Sequence, residues 1–143
     1  MGGLRGETVI ERLAEVPLFA GVSKKGLRQI AAVAKEMAFA EGDVLTLQGT
    51  RGGRCYLILE GRVEVTSGGR TLATLAAGDT VGEMALLDDQ PRTATATALE
   101  PVRTVTLASW NFRPLLRHEP LIMEKILLQV VRRLRDADLA PAR

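Results

Sequence analysis

Gly78-Asp79-Thr80-Val81-Gly82-Glu83-Met84-Ala85-Leu86-Leu87-Asp88-Asp89-Gln90-Pro91-Arg92-Thr93-Ala94-Thr95-Ala96-Thr97-Ala98 is the stretch on which the reading of the whole chain turns. Its flanks read as strand. Thr80-Val81 is β-branched, and Thr93, Thr95 and Thr97 alternate with Ala94, Ala96 and Ala98, as a sheet with one polar face requires. Between the flanks, Gly82 to Leu86 can close into one helical turn whose first backbone N–H groups favour an anion. Gly82 lets a ligand approach the backbone closely. Between Thr71 and Val102 the single cation is Arg92, set among Asp79, Glu83, Asp88, Asp89 and Glu100. Composition alone assigns such an arginine to local ion pairs. Its place at the entry of a strand also lets its planar fork reach the spot the helical turn faces, a match for phosphate oxygens. Glu83 then either pairs with Arg92 or accepts from a hydroxyl on the same ligand, which would make that ligand a sugar phosphate. There is no Gly-Lys-Ser/Thr, so the stretch is not a P-loop.

Working outward, short apolar or alternating runs surround this segment: Met37 with Phe39, Val44–Leu47, Cys55–Leu59, Arg62–Thr66, Arg70–Leu75, Arg92–Ala98 and Val102–Leu107. Glycine-rich turns separate them, and this spacing predicts a sandwich or barrel over 36–108. Ser67-Gly68-Gly69-Arg70 fits a tight hairpin because glycine accepts positive φ at both central positions. The ends change period. Thr8 is placed to cap a short helix with Val9 and Leu13 on one face, and Ser23 to cap a second carrying Leu27, Ile30, Ala31 and Ala34, so helix is expected over 8–35. Ser109 to Arg117 reads as a short helix in which Pro114 is awkward beyond the first turn. The last helix starts at Pro120 and carries an apolar row of Ile122, Ile126, Val130 and Leu134, widened by Leu121, Leu127, Leu128 and Val131. Such breadth calls for two apolar partners, the barrel and something else. Arg132, Arg133 and Arg135 read as a solvated cluster at its C-terminal end. Tyr56 and Trp110 read as core or hinge aromatics.

Composition bounds the function. The 143 residues are 46% hydrophobic and 25% charged, which fits a single globular domain over 1–143. Nineteen basic against seventeen acidic residues leave +2, too little to imply nucleic acid. The lone Cys55 excludes an internal disulfide and favours a reducing, cytoplasmic setting. The lone His118 excludes an ordinary multi-histidine metal site within one chain, and no catalytic set accompanies it. No apolar run is long enough to span a membrane.

Gly82-Glu83-Met84-Ala85-Leu86, then six residues from Leu87 to Arg92, then Thr93-Ala94-Thr95, closely resembles the phosphate-binding cassette of cyclic nucleotide-binding domains. These are the modules of catabolite-activator-type regulators, cyclic-nucleotide-dependent kinases and gated channels. Pro17-Leu18-Phe19, Gly42 with Gly49, and Tyr56 to Val65 extend the resemblance from about Val16 to about Leu139. It implies a mainly β fold with flanking helices: an eight-stranded β-roll or jelly-roll barrel, N-terminal helices, and C-terminal helices over 109–139 ending in a lid helix. It implies no metal and no cofactor apart from the ligand, a cyclic nucleotide. Arg92 would meet the cyclic phosphate and Glu83 the ribose 2′-hydroxyl. Gly82, Met84 and Ala85 would bring backbone close or donate N–H groups, the Met84 side chain packing instead. Thr93 would add a hydroxyl, and a threonine there meets the guanine 2-amino group in some members. Cyclic AMP is favoured as the commoner ligand, with cyclic GMP open. Val65, Leu72 and Leu75 would face the base or simply pack the core. The output would be movement of the last helix toward an effector protein, a fused domain or a second copy in a homodimer. With Ala140 to Arg143 alone after that helix, no DNA-binding segment is expected in this chain. The alternatives are a scaffold of the same fold with an unused pocket and, at more distance, a cupin-like enzyme, which a single histidine disfavours.

Overall fold

The structure, a computed structural model, describes residues 6–88 and 90–139, with the side chains of 6, 7, 138 and 139 outside the description. Asp89 and Ala140 to Arg143, which entered the sequence reading, lie outside the described residues. Two helices come first: α1 (Gly6–Ala14) and, after a 3₁₀ turn over Pro17–Phe19, α2 (Lys24–Ala32). Eight strands follow: β1 (Lys35–Phe39), β2 (Val44–Thr46), β3 (Arg54–Glu60), β4 (Val63–Ser67), β5 (Arg70–Leu75), β6 (Thr80–Val81), β7 (Thr95–Ala98) and β8 (Val102–Ala108). Then come α3 (Ser109–His118) and α4 (Pro120–Leu139). Ser23 caps α2 as its sequence suggests, its Oγ accepting from the Gly26 N–H at 3.0 Å. Thr8, by contrast, lies inside α1, which already begins at Gly6.

The strands form two antiparallel four-stranded sheets, ordered β1-β8-β3-β6 and β2-β7-β4-β5. Their inner faces enclose Leu45, Tyr56, Ile58, Val63, Val81, Ala96, Ala98 and Val102, with Phe39 standing edge-on to Tyr56 at 5.6 Å. Alternation along β3 sends Cys55, Leu57 and Leu59 the other way, into a second cluster with Leu13, Leu18, Phe19, Ile30, Phe112, Ile122 and Ile126 from the helices. β3 is therefore buried on both faces. That explains its unbroken apolar run, and it makes the first sheet the shared wall between roll and helices. Gly68 and Gly69 take φ of +58° and +82°, and Ser67 pairs with Arg70, as the hairpin reading requires.

Three expectations change at the edges. Arg92 to Ala94 precede strand β7, which starts only at Thr95. Pro114 sits in the middle of α3, where its missing N–H costs the helix one main-chain bond. The apolar row of α4 splits. Ile122 and Ile126 are buried against the Pro17–Phe19 turn and α3, so α4 reaches the roll chiefly through those two elements. Leu121, Leu127, Leu128, Val131 and Leu134 remain open to solvent, Leu134 by 62%. No helix among the described residues is long and apolar enough to cross a membrane.

Candidate functional site

The site begins where β6 ends. Val81 pairs with Tyr56 of β3, and the chain then turns through Gly82, whose φ of +74° lies in the left-handed region that only glycine enters at little cost. A 3₁₀ turn over Glu83–Leu86 follows, anchored by the buried Ala85 and Leu86. Its first internal bond runs from the Ala85 N–H to the Gly82 carbonyl at 3.0 Å, so the N–H groups of Glu83 and Met84 precede it.

Arg92 approaches the same turn from the opposite side. Its own backbone is fixed to the loop before β3: its N–H donates to the Thr50 carbonyl at 2.8 Å, and its carbonyl accepts from the Gly49 N–H at 2.9 Å. The guanidinium runs between two glycines. A Cβ on Gly52 would lie 2.6 Å from Nε, and a Cβ on Gly82 would collide with Nη1. Nη2 donates to the Arg54 carbonyl at 2.5 Å. Burial pushes the guanidinium below its ordinary pKa, partly offset by the nearby Tyr56 and Cys55. Among the described residues no carboxylate pairs with Arg92, so the local ion pairing that composition suggested does not occur there.

Glu83 is engaged elsewhere. Its Oε1 accepts from Arg133 Nη2 of α4 at 2.5 Å, and Arg133 Nη1 rests 3.1 Å from the Met84 sulfur. Arg133 is thus not part of a solvated cluster, as its neighbours suggested; it reaches back over the cassette. Glu83 Oε2 is buried and has no hydrogen-bond partner among the described residues. Beneath the turn, burial pushes the Cys55 thiol up to about 12, the Glu83 carboxylate adding to the shift and Arg92 opposing it.

Three cavities meet at Arg92: one of about 290 Å³ runs along Thr46, Gly52 and Tyr56, and the two others share Gly82 and Thr93. Of these two, one of about 330 Å³ is lined by Gly82, Glu83, Met84, Ala85, Arg92 and Thr93, so all six cassette residues singled out in the sequence share it. The other, of about 230 Å³, adds Val65, Leu75 and Ala96 from the roll. Leu72 belongs to none of the three: it lies on the edge strand β5, where it is 61% exposed. Residues of α4 line none of these cavities, so this helix lies beside the cassette and touches it through Arg133 instead of covering the base side. Among the described residues no group of histidine, cysteine, aspartate or glutamate could hold a metal ion.

The sequence model described as "Cyclic nucleotide-binding domain" matches residues 36–119. The chain belongs to this family. Regulatory members surround it. It is 34% identical over 128 residues to the Cyclic AMP receptor protein of Thermus thermophilus, covering 86% of this chain and 59% of that protein. It is 38% identical over 118 residues to the cGMP-dependent protein kinase, isozyme 1, of Drosophila melanogaster, covering 77% of this chain and 15% of the kinase. The crystal structure of the N-terminal domain of a transcriptional regulator from Streptomyces coelicolor superposes with a TM-score of 0.83 at 32% identity, covering 89% of this chain and 92% of that one. The chain thus spans less than two thirds of the length of either of these curated relatives.

For a member of this family, three parts of the cassette's surroundings escaped the sequence reading. Gly52 lies in one of the glycine-rich turns between strands, and its tight contact with Arg92 leaves no mark in one dimension. The Arg54 acceptor is a backbone carbonyl, which no side-chain pattern encodes. Arg133 is 50 residues from Glu83, so their meeting depends on how α4 folds back. Trp110, expected in the core or at a hinge, is 55% exposed and lies under the Arg54 guanidinium, whose centre is 4.9 Å from the ring centroid. Tyr56 is buried, as expected of a core aromatic.

Proposed function

We propose that this chain is a single non-catalytic sensor module that binds a cyclic nucleotide monophosphate in the two cavities joined at Gly82 and Thr93 and passes the event on through α4. One observation carries the reading: Glu83 Oε2 is a buried acceptor with no donor among the described residues, in a cavity it shares with a half-buried arginine that no described carboxylate neutralises. An unpartnered buried acceptor and a desolvated cation are each costly alone. A ribose hydroxyl and a cyclic phosphate, held at the fixed spacing of one ligand, answer both.

In this reading Arg92 meets the phosphate with its fork, and the Glu83 and Met84 N–H groups add donors at the start of the 3₁₀ turn. Gly82 and Ala85 keep the backbone close, Thr93 supplies a hydroxyl, and Glu83 accepts from the 2′-hydroxyl. The base lies toward Val65 and Leu75, without Leu72. Cyclic AMP is the favoured ligand, supported by the name of the Thermus relative, and cyclic GMP is the alternative, supported by Thr93 and the name of the kinase. The ligand leaves unchanged, so no catalytic group is needed.

Because Arg133 already grips Glu83, a ligand hydroxyl arriving at the same carboxylate changes what α4 is bound to. That difference between bound and free states is what shifts its position. The exposed row on α4 offers the other half of the output, a contact with a second copy of the chain or with an effector or fused domain. An unpaired buried thiol suits a cytoplasmic setting. Calorimetric titration with both cyclic nucleotides and with linear AMP and GMP tests the pocket. Micromolar binding of one cyclic form, at least tenfold tighter than its linear counterpart, is expected. Equal affinity for the linear forms refutes a cyclic-phosphate site.

A further inference from the structure

The spot where Arg92 can meet an anion is set by the short segment Gly52 to Arg54, because Gly52 crowds its Nε and the Arg54 carbonyl accepts from its Nη2. Arg54 opens β3 and pairs there with Ala108 of β8, and the first turn of α3 holds the rest of the segment from outside the roll. A Cβ on Gly53 would lie 3.1 Å from Trp110 Cζ3, so the indole packs directly on this glycine, whose φ is +120°. The Gly53 carbonyl accepts from the Ser109 N–H at 2.6 Å. The Arg54 side chain then folds over the other part of the ring as a cation–π pair.

We propose that Trp110 is a positioning residue for Arg92: by clasping Gly53 and the Arg54 side chain, it fixes the carbonyl that aims the phosphate-binding guanidinium. It touches no ligand and acts through the 52–54 segment. The proposal rests on the cyclic-nucleotide reading for its effect on affinity, though not for its effect on Arg92 itself. It also accounts for a tryptophan that stays half in solvent, at a cavity lined by Val33, Met37 and Ala108 together with Lys35, Glu36 and Asn111. Because the ring is half in solvent, its removal empties no sealed core space.

The test uses Trp110→Ala, Trp110→Phe and Arg54→Ala. Arg54→Ala keeps the carbonyl and loses only the clasp. In cyclic AMP titrations, Trp110→Ala is expected to weaken binding about fivefold and Arg54→Ala about threefold, while Trp110→Phe stays within about twofold of the parent. In an Arg92→Ala background, Trp110→Ala should cost nothing more, because there is no guanidinium left to aim. Unchanged affinity in Trp110→Ala, or the same fivefold loss in both backgrounds, overturns the proposal. A second readout needs no ligand. The Arg92 Nε–Hε resonance in the free protein, assigned by its disappearance in Arg92→Lys, should move in Trp110→Ala and return in Trp110→Phe. An unmoved resonance also overturns the proposal, and it does so whether or not the parent protein binds a cyclic nucleotide. If the parent does not bind while the resonance moves, only the cyclic-nucleotide reading fails.

Discussion

Replacing Arg92 by alanine removes the guanidinium at the junction of the three cavities and leaves the frame around it intact. Its backbone bonds to Thr50 and Gly49 do not involve the side chain, so the loop before β3 stays tied down. The Arg54 carbonyl loses its donor, but the space vacated between Gly52 and Gly82 opens onto solvent through the adjoining cavities, and water can take the donor's place. The domain should therefore remain folded. Binding should suffer more. A hydrogen bond to a charged group contributes about 1.5–3 kcal/mol. Taking about 2 kcal/mol, the dissociation constant should rise about thirtyfold at 1.4 kcal/mol per decade. Arg92→Lys keeps the charge and loses the planar fork, and should fall between, at about fivefold. Isothermal titration of cyclic AMP at two salt concentrations reads both effects, and thermal melting checks the fold. The parent should lose affinity with salt and Arg92→Ala should be nearly insensitive, since its phosphate contact is gone. An unchanged dissociation constant in a folded Arg92→Ala protein would show that the guanidinium does not meet the ligand.

Gly82→Ala forces a side chain into the left-handed region and onto Arg92 Nη1, so cyclic-nucleotide affinity should drop at least tenfold while circular dichroism keeps its β signature. The raised pKa of Cys55 makes stability pH-dependent in a defined window. The folded state holds the thiol protonated to about 12 while the unfolded chain releases it near 9.0. This contribution is therefore complete below pH 9 and is lost as pH climbs from there toward 12. Denaturation curves of the parent should fall away over that range more steeply than those of Cys55→Ala, and parallel curves would contradict the burial. Leu127 and Leu134 sit on the open face of α4. Changing both to glutamate should convert any dimer to monomer in sedimentation equilibrium without shifting the melting midpoint by more than a few degrees.

Much of the roll is legible in one dimension because a strand buried on one face must alternate and a tight hairpin must carry residues that accept positive φ. Ser67 to Arg70 and the Thr95–Ala98 alternation are read on those grounds. Ser23 is read as a cap for the same kind of local reason, an oxygen three residues before the N–H it serves. Thr8 shows the limit of such signals: a good capping residue is also tolerated inside a helix, and α1 starts two residues earlier. Trp110 shows another. It reads as a core or hinge aromatic, and the first turn of α3 turns its half-exposed ring toward Arg54.

The amino-acid sequence alone placed Glu83 and Arg92 nine positions apart around a glycine-led turn, in a pattern that resembles a phosphate-binding cassette. Tertiary structure alone decided what each of them touches. Whether Arg92 met a carboxylate or a carbonyl depended on where the chain around Gly52 passed, and the answer is the Arg54 backbone. Whether Glu83 stood free depended on α4 returning across the helical cluster, which brings Arg133 to one of its oxygens and leaves the other buried without a donor among the described residues. Local periodicity acts over a few residues and leaves its record in the sequence. Contacts between distant segments are set by the joint packing of every element between them, and no short pattern records that.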